Sequence, residues 1–342
     1  MQSMTQTKLV SPSSHSGRRF LVTGAKGFIG AWIVKELVDR GDPPFVFDID
    51  TETGRLAALL TPEQIASVQF VQGDITQFKD VESAILDHGI THVIHLAGIQ
   101  VPFCAADPLR GAMINVVGTL NVFEVARRRR DLVQSIVYAS SAAVFGPEET
   151  YGSATVPEGA PLLPGTHYGV FKQCNEGNAR VYFLNDGLSS AGIRPGTVYG
   201  VGRDRGMTSG PTKAIKATVI GQPYTIRYTG GMDMQYVRDT ARIFIRCAEA
   251  GLIGAKVYTL RGDVMQVHEF LTILEQILPP SRMLIRAEGT TLPVSYDFDD
   301  SALHSDLADV HRTPLEDGIR ETAAIFERLK LAGTLDAKDL ET

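Results

Sequence analysis

The segment FLVTGAKGFIG, from Phe20 to Gly30, restricts the possible folds more than any other stretch of the chain. An apolar burst ends in three glycines, Gly24, Gly27 and Gly30, spaced three apart, and the amphipathic run AWIVKELVDRG follows. Each glycine costs roughly 0.5–1 kcal/mol relative to alanine inside regular structure. A strand that hands over to a helix through three of them must let another group come close to its backbone. The alternation then continues. PFVFDID, VQFVQGD, THVIHLAG, SIVYASS and SSAGIRPGTVYG read as strands. FKDVESAILDHG, NVVGTLNVFEVARRR and HYGVFKQCNEGNARVYFLNDG read as the helices between them. This pattern predicts an α/β fold, a Rossmann-type doubly wound parallel sheet with helices on both faces, binding its ligand beyond the carboxyl ends of the strands.

In that context each glycine has a task. The first permits the tight turn, the second lets a pyrophosphate approach the backbone, and the third lets helix pack on strand. The N–H groups of the helix start, at Phe28, Ile29 and Gly30, face the anion. The next strand ends in Asp48, 24 positions after Gly24. A carboxylate there accepts both hydroxyls of the adenosine ribose and repels a 2′-phosphate, so the cofactor expected is NAD rather than NADP. Asp50, on the same face, is the alternative; Arg55 could in principle serve a 2′-phosphate, but its place reads as well down the following helix.

HYGVFKQ puts Tyr168 and Lys172 four apart on one helical face. A tyrosine is a poor base at its ordinary pKa near 10. A neighbouring ammonium favours the phenolate, and the pair can then move a hydroxyl proton near neutral pH. YASSAAVFG ends the fifth strand, where Ser141 can hydrogen-bond a substrate oxygen and Ser140 can support it.

These pieces, TGAKGFIG, Asp74–Ile75, HLAG, NVVGTLNV, SSAAVFG, YGVFK and RPGTVYG, stand in one order over roughly residues 19–240. Together they resemble the extended short-chain dehydrogenase/reductase family, also called the NAD-dependent epimerase/dehydratase family. The resemblance implies a catalytic set of Ser141, Tyr168 and Lys172. It implies Asp74 and Ile75 beside the adenine, Leu96, Ala97 and Gly98 along the dinucleotide, and Pro195 at the nicotinamide end. Asn115 would organise the helix behind the site, and His95 reads as a satisfied core histidine. The family also forms a two-fold interface through helices matching 112–130 and 166–185, so a homodimer is expected.

Two positions depart from the nucleotide-sugar members of the family. Thr197 stands where they place an Asn, and Met232 where they place a diphosphate-binding Arg; a methionine cannot pair with phosphate. The loop GVGRDRGMTSGPTK offers Arg203, Arg205, Thr208 and Ser209 instead, a set suited to a carboxylate or other small anion. Gln100 is a further substrate contact. The reading is therefore an NAD-dependent oxidation of a secondary hydroxyl on a sugar acid, sugar or polyol. A nucleotide-sugar epimerase that keeps its NAD is the alternative, and a non-catalytic NAD-sensing regulator on the same fold is a third possibility.

After Gly200 the rhythm weakens. PTKAIKATVIG, VRDTARIFIRCAEAG, VHEFLTILEQIL and LEDGIRETAAIFERLKLAG read as helices, and AKVYTLRG as a strand able to rejoin the sheet. The chain divides into a disordered extension at 1–17, an NAD-binding domain at 18–195, and a substrate-binding domain over 196–342 with segments returning to the sheet. A net charge of −6 and a pI near 5.8 argue against nucleic acid as a partner. The one basic run, Arg127 to Arg130, ends a helix, where cations belong. Three cysteines without a CxxC pair fit a reducing cytoplasm. No apolar run approaches the ~20 residues of a membrane span, and no metal site is expected.

Overall fold

The computed structural model describes residues 17–50, 52–152 and 155–341. The extension expected at 1–17 lies outside these residues except for Gly17. The main sheet contains β1 (Phe20–Thr23), β2 (Phe45–Asp48), β3 (Gln69–Gln72), β4 (His92–His95), β5 (Ser135–Ala139), β6 (Ser190–Arg194) and β10 (Ala255–Thr259), in the order β10-β6-β5-β4-β1-β2-β3. Every pairing is parallel. Helices cover both faces, and the central strands are buried, which is why β1 reads FLVT and β4 reads HVIH with no polar alternation. β10 is the late strand AKVYT, which rejoins the sheet beside β6.

The structure corrects two elements of the sequence reading. SSAGIRPGTVYG is two strands, not one. β6 stays in the main sheet, while β7 (Thr197–Tyr199) joins β9 (Gly231–Tyr236) and β11 (Asp263–Gln266) in a separate three-stranded sheet. Pro195 has no N–H to continue the ladder. A Cβ on Gly196 would lie 2.9 Å from Asp233 Oδ2 and 3.0 Å from Gln235 Nε2, so the glycine leaves room for these two side chains at the turn. The helix expected across NVVGTLNVFEVARRR is also composite. Met113–Val117 is a π-helical turn, and Gly118–Arg128 continues as α-helix against Ile75. Its basic end is paired: Arg127 and Arg128 with Glu124, and Arg129 with Asp131.

One tether positions the site. In the first helix (Phe28–Asp39) Trp32 is fully buried, edge-on to Tyr236, and its Nε1–H donates to Val201 O at 2.9 Å. The loop that follows β7 is thereby held over the glycine turn.

Candidate active site

The carboxyl edge of the sheet opens into a cavity of about 300 Å³, which runs from the glycine turn to residues 292–298. Gly24 adopts φ +64°, and a Cβ there would stand 2.7 Å from Ala97 N, so the turn after β1 lies directly on the end of β4. A Cβ on Gly30 would stand 2.5 Å from Gly24 O. No side chain caps the first helix at Gly27, and Phe28, Ile29 and Gly30 line the cavity. Its first-turn N–H groups are therefore available to an anion.

At the second helix of interest, His167–Asp186, Thr166 Oγ1 accepts from Gly169 N at 3.1 Å and sets the first turn. A Cβ on Gly169 would reach Ala143 O, so this glycine allows the helix to press on the turn after β5. That contact brings Tyr168 beside Ser141, whose hydroxyl pulls the phenol's pKa down and whose Oγ also accepts from Ala143 N at 3.1 Å. One turn on, Lys172 Nζ donates to Ala139 O at 2.7 Å and lies 5.5 Å from the Tyr168 ring centroid. Burial lowers the ammonium to about 8. Burial also raises the Tyr168 phenol, and the groups that pull it down are Ser141 and the guanidinium of Arg203. That task was expected of Lys172, which stands beside the ring and donates one of its three N–H groups to Ala139 O.

Behind the site, Ser140 Oγ donates to Glu176 Oε1, and Arg194 pairs with both Glu176 oxygens at 2.8 and 2.7 Å. Ala142 N donates to Pro195 O at 3.0 Å. β5, β6 and the helix of Tyr168 are thus joined directly behind Ser141 and Tyr168.

Of the residues expected to hold the cofactor, Gly24, Gly27, Phe28, Ile29, Gly30, Leu96, Gly98, Tyr168, Lys172 and Pro195 line the cavity. Asp48 lies beyond the lining at the end of β2, with its carboxylate accepting from Lys26 N and Asp50 N at 3.2 Å each. Asp74, Ile75 and Ala97 are also outside the lining. Asp74 takes Thr76 N at 2.9 Å, and Ile75 is buried under Gly118. Asn115 is not at the surface of the cleft. It is fully buried in the π-helical turn, donating to Ile99 O and Gly111 O, with Oδ1 unpartnered toward Gly98. His95 has both ring nitrogens occupied, by Thr23 and Thr119, and burial lowers it to about 3.

Among the expected substrate residues, Gln100, Ser141, Thr197, Arg203 and Thr208 line the cavity. Arg205 and Ser209 do not. Arg205 is exposed on the outer side of its loop, and Ser209 is buried at the start of helix Gly210–Ile220. Arg203 donates to Thr208 Oγ1 at 2.9 Å, lies over the Phe28 ring, and has a buried Nε without a partner. Arg238 points elsewhere, paired with Glu36 and Glu321. The sequence reading missed Met207, Asp233 and the segment Leu292–Phe298. Leu292, Val294, Tyr296 and Phe298 all face the cavity, and their alternation was the available signal. Asp233 is fully buried, accepts from Gln235 and Gly262 N, and is raised by burial to about 7. Among the described residues no cluster of metal-ligating side chains occurs, and no helix is long and apolar enough to cross a membrane.

An uncapped helix start, a glycine cradle that any side chain would obstruct, and a Tyr–Lys–Ser group at the carboxyl edge of a doubly wound sheet define an NAD-dependent oxidoreductase or epimerase. The chain belongs to the NAD dependent epimerase/dehydratase family, which matches residues 20–259. It is similar to the UDP-glucose 4-epimerase of Azospirillum brasilense, with 32% identity over 217 residues, or 62% of this chain and 58% of that one. The chain therefore spans little more than half the length of that relative. Among solved structures, the Thermus thermophilus UDP-glucose 4-epimerase in complex with NAD aligns with TM-score 0.71 and 26% identity over 90% of this chain and 98% of that chain. An L-threonine dehydrogenase from Cupriavidus necator aligns with TM-score 0.75 over 90% of this chain and 99% of that one; at 23% identity it shares the fold. NAD is the cofactor of this family, and the Thermus enzyme was solved in complex with it.

Proposed function

We propose that this enzyme oxidises a secondary hydroxyl of a small acidic substrate, a sugar acid in the first instance, with NAD as acceptor. One observation carries the reading. The cavity lining contains two cations, Lys172 and Arg203, and only Arg203 has a buried donor without a partner. A carboxylate on that guanidinium satisfies it bidentately and places the neighbouring carbon beside Tyr168. The lining also includes Met207, Met232, Leu292 and Val294, which offer no charge to a nucleotide diphosphate. Tyr168 takes the hydroxyl proton, Ser141 orients the oxygen, and Lys172 holds the nicotinamide ribose while its charge favours the phenolate in the loaded site. NAD, when bound, accepts the hydride at C4 of its nicotinamide.

The test is a panel of aldonic and uronic acids, polyols and nucleotide sugars incubated with enzyme and NAD while NADH absorbance is followed. Stoichiometric NADH with a free sugar acid is expected. Tyr168→Phe should lower turnover by ~10²–10⁴, the usual share of general acid–base catalysis. Arg203→Gln should raise KM for the acid more than it lowers kcat. Isomerisation of a nucleotide sugar without net NADH, the activity that the Azospirillum relative's name describes, would overturn the proposal.

A further inference from the structure

The turn around Asp48 carries two basic residues, Lys26 and Arg55, neither of which spends its charge on that carboxylate. Lys26 donates its backbone N–H to Asp48 Oδ2 at 3.2 Å. Its Nζ donates to Asp50 O at 2.5 Å and lies over the Phe70 ring. Arg55 is the second residue of helix Gly54–Leu59, at its start rather than well down it, and Nη1 donates to Lys26 O at 3.3 Å. This is the place where a nearby arginine accommodates the 2′-phosphate of NADP.

The guanidinium is already filled. Nη2 contacts both Asp204 oxygens at 2.8 and 2.7 Å, and Nε donates to Gly202 O at 3.2 Å. Asp204 comes from the loop after β7, 149 residues away in sequence. We propose that Asp204 is a cofactor-specificity residue, which keeps the enzyme on NAD by occupying the arginine that a 2′-phosphate needs. The same planar fork matches carboxylate or phosphate, so the two compete for one donor set. An incoming 2′-phosphate must displace Asp204 and then face two carboxylates, Asp204 and Asp48, the latter held only by backbone N–H groups. The proposal rests on Asp48 marking the ribose hydroxyls.

Calorimetric titration of NAD and NADP against the full-length protein tests it without reference to turnover. Asp204→Asn keeps the side-chain shape and removes the charge. It should tighten NADP by about 10–100-fold, the effect of one charge-assisted pair, and leave NAD little changed. Adding Arg55→Leu should abolish the gain. Arg55→Leu alone should leave the NAD-to-NADP ratio of the parent unchanged, because Arg55 is not available there. A folded Asp204→Asn protein with unaltered NADP affinity overturns the proposal, as does a gain that survives Arg55→Leu. If Asp204→Asn does not fold, a selective loss of NADP affinity in Arg55→Leu overturns it equally. Asp48→Ala reports on the ribose assignment separately: undiminished NAD affinity in that variant refutes Asp48 whatever Asp204 does.

Discussion

The Glu176–Arg194 pair offers the sharpest test of how this fold holds its reacting groups. Glu176 lies on the helix of Tyr168 and Lys172, Arg194 ends β6 one residue before Pro195, and Ser140 precedes Ser141 at the end of β5. The bidentate pair and the Ser140 hydrogen bond tie these three elements together, with both charged side chains 7% exposed. Arg194 also reaches Thr259 and lies over the Phe145 ring. Removing one member leaves the other charge buried and uncompensated, at a cost of about 3–5 kcal/mol. Unfolding entropy near the midpoint is about 2.1 cal/mol/K per residue, or roughly 0.7 kcal/mol/K for a chain of this length, so Glu176→Gln should lower Tm by about 4–7 °C. Replacing both members with leucine should recover most of that loss, because exchanging a whole buried pair for apolar side chains is often neutral. Turnover should stay low in the double variant, since Ser141 and Tyr168 are no longer fixed to each other. Scanning calorimetry and NADH production measure the two effects independently. A Glu176→Gln protein that melts with the parent refutes the energetic argument. A double variant with full turnover refutes the positioning argument.

Lys172 has a folded pKa of about 8, below its ordinary 10.5. The fold thus disfavours the ammonium, and stability contributed by this group rises as pH climbs from 8 towards 10.5; between pH 7 and 10 the rise amounts to roughly 2–3 kcal/mol. Urea unfolding of the cofactor-free parent and Lys172→Met at both pH values should differ by that amount, and parallel pH responses would refute it. Separately, Leu109, Met113, Val170, Val181 and Leu184 are exposed along Pro108–Val117 and His167–Asp186. Such a patch fits a two-fold interface, so sedimentation at micromolar concentration should show a dimer that Leu184→Glu weakens; a stable parent monomer contradicts it.

The strand–helix alternation was legible because the central parallel strands have apolar interiors, as in FLVT and HVIH, and because the glycine turn has few other structural uses. The Tyr168–Lys172 pair was legible because helical spacing places both on one face. What could not be read was pairing across the fold. Nothing local separates Arg203 from Arg205, yet one faces the cavity and the other faces solvent. Nor does local pattern reveal that Arg55 meets Asp204, or that Lys172 donates to Ala139 O. These contacts join residues 33 to 149 positions apart, and the longer one depends on where the loop after β7 settles on the first sheet. The split of SSAGIRPGTVYG was readable in part: Pro195 forbids a continuous ladder, although the direction of departure depends on the room that Gly196 leaves for Asp233 and Gln235.

The loop after β7 takes part in both halves of the recognition problem. Consecutive side chains diverge: Arg203 turns inward, above Phe28 and towards Tyr168, while Asp204 reaches back to Arg55 beside the cofactor turn. Val201 is held by Trp32 and Gly202 by Arg55, so the loop cannot shift at one end without straining the other. An anion that draws Arg203 towards the substrate pulls on the residue next to the Arg55 clasp. Cofactor and substrate binding should therefore be coupled through this loop, and a substitution at Asp204 should alter KM for the substrate as well as affinity for NADP. Equally, a change of substrate obtained by mutating Arg203 cannot be read as a local event. Its effect on NAD affinity has to be measured alongside, because the same few residues of backbone carry both contacts.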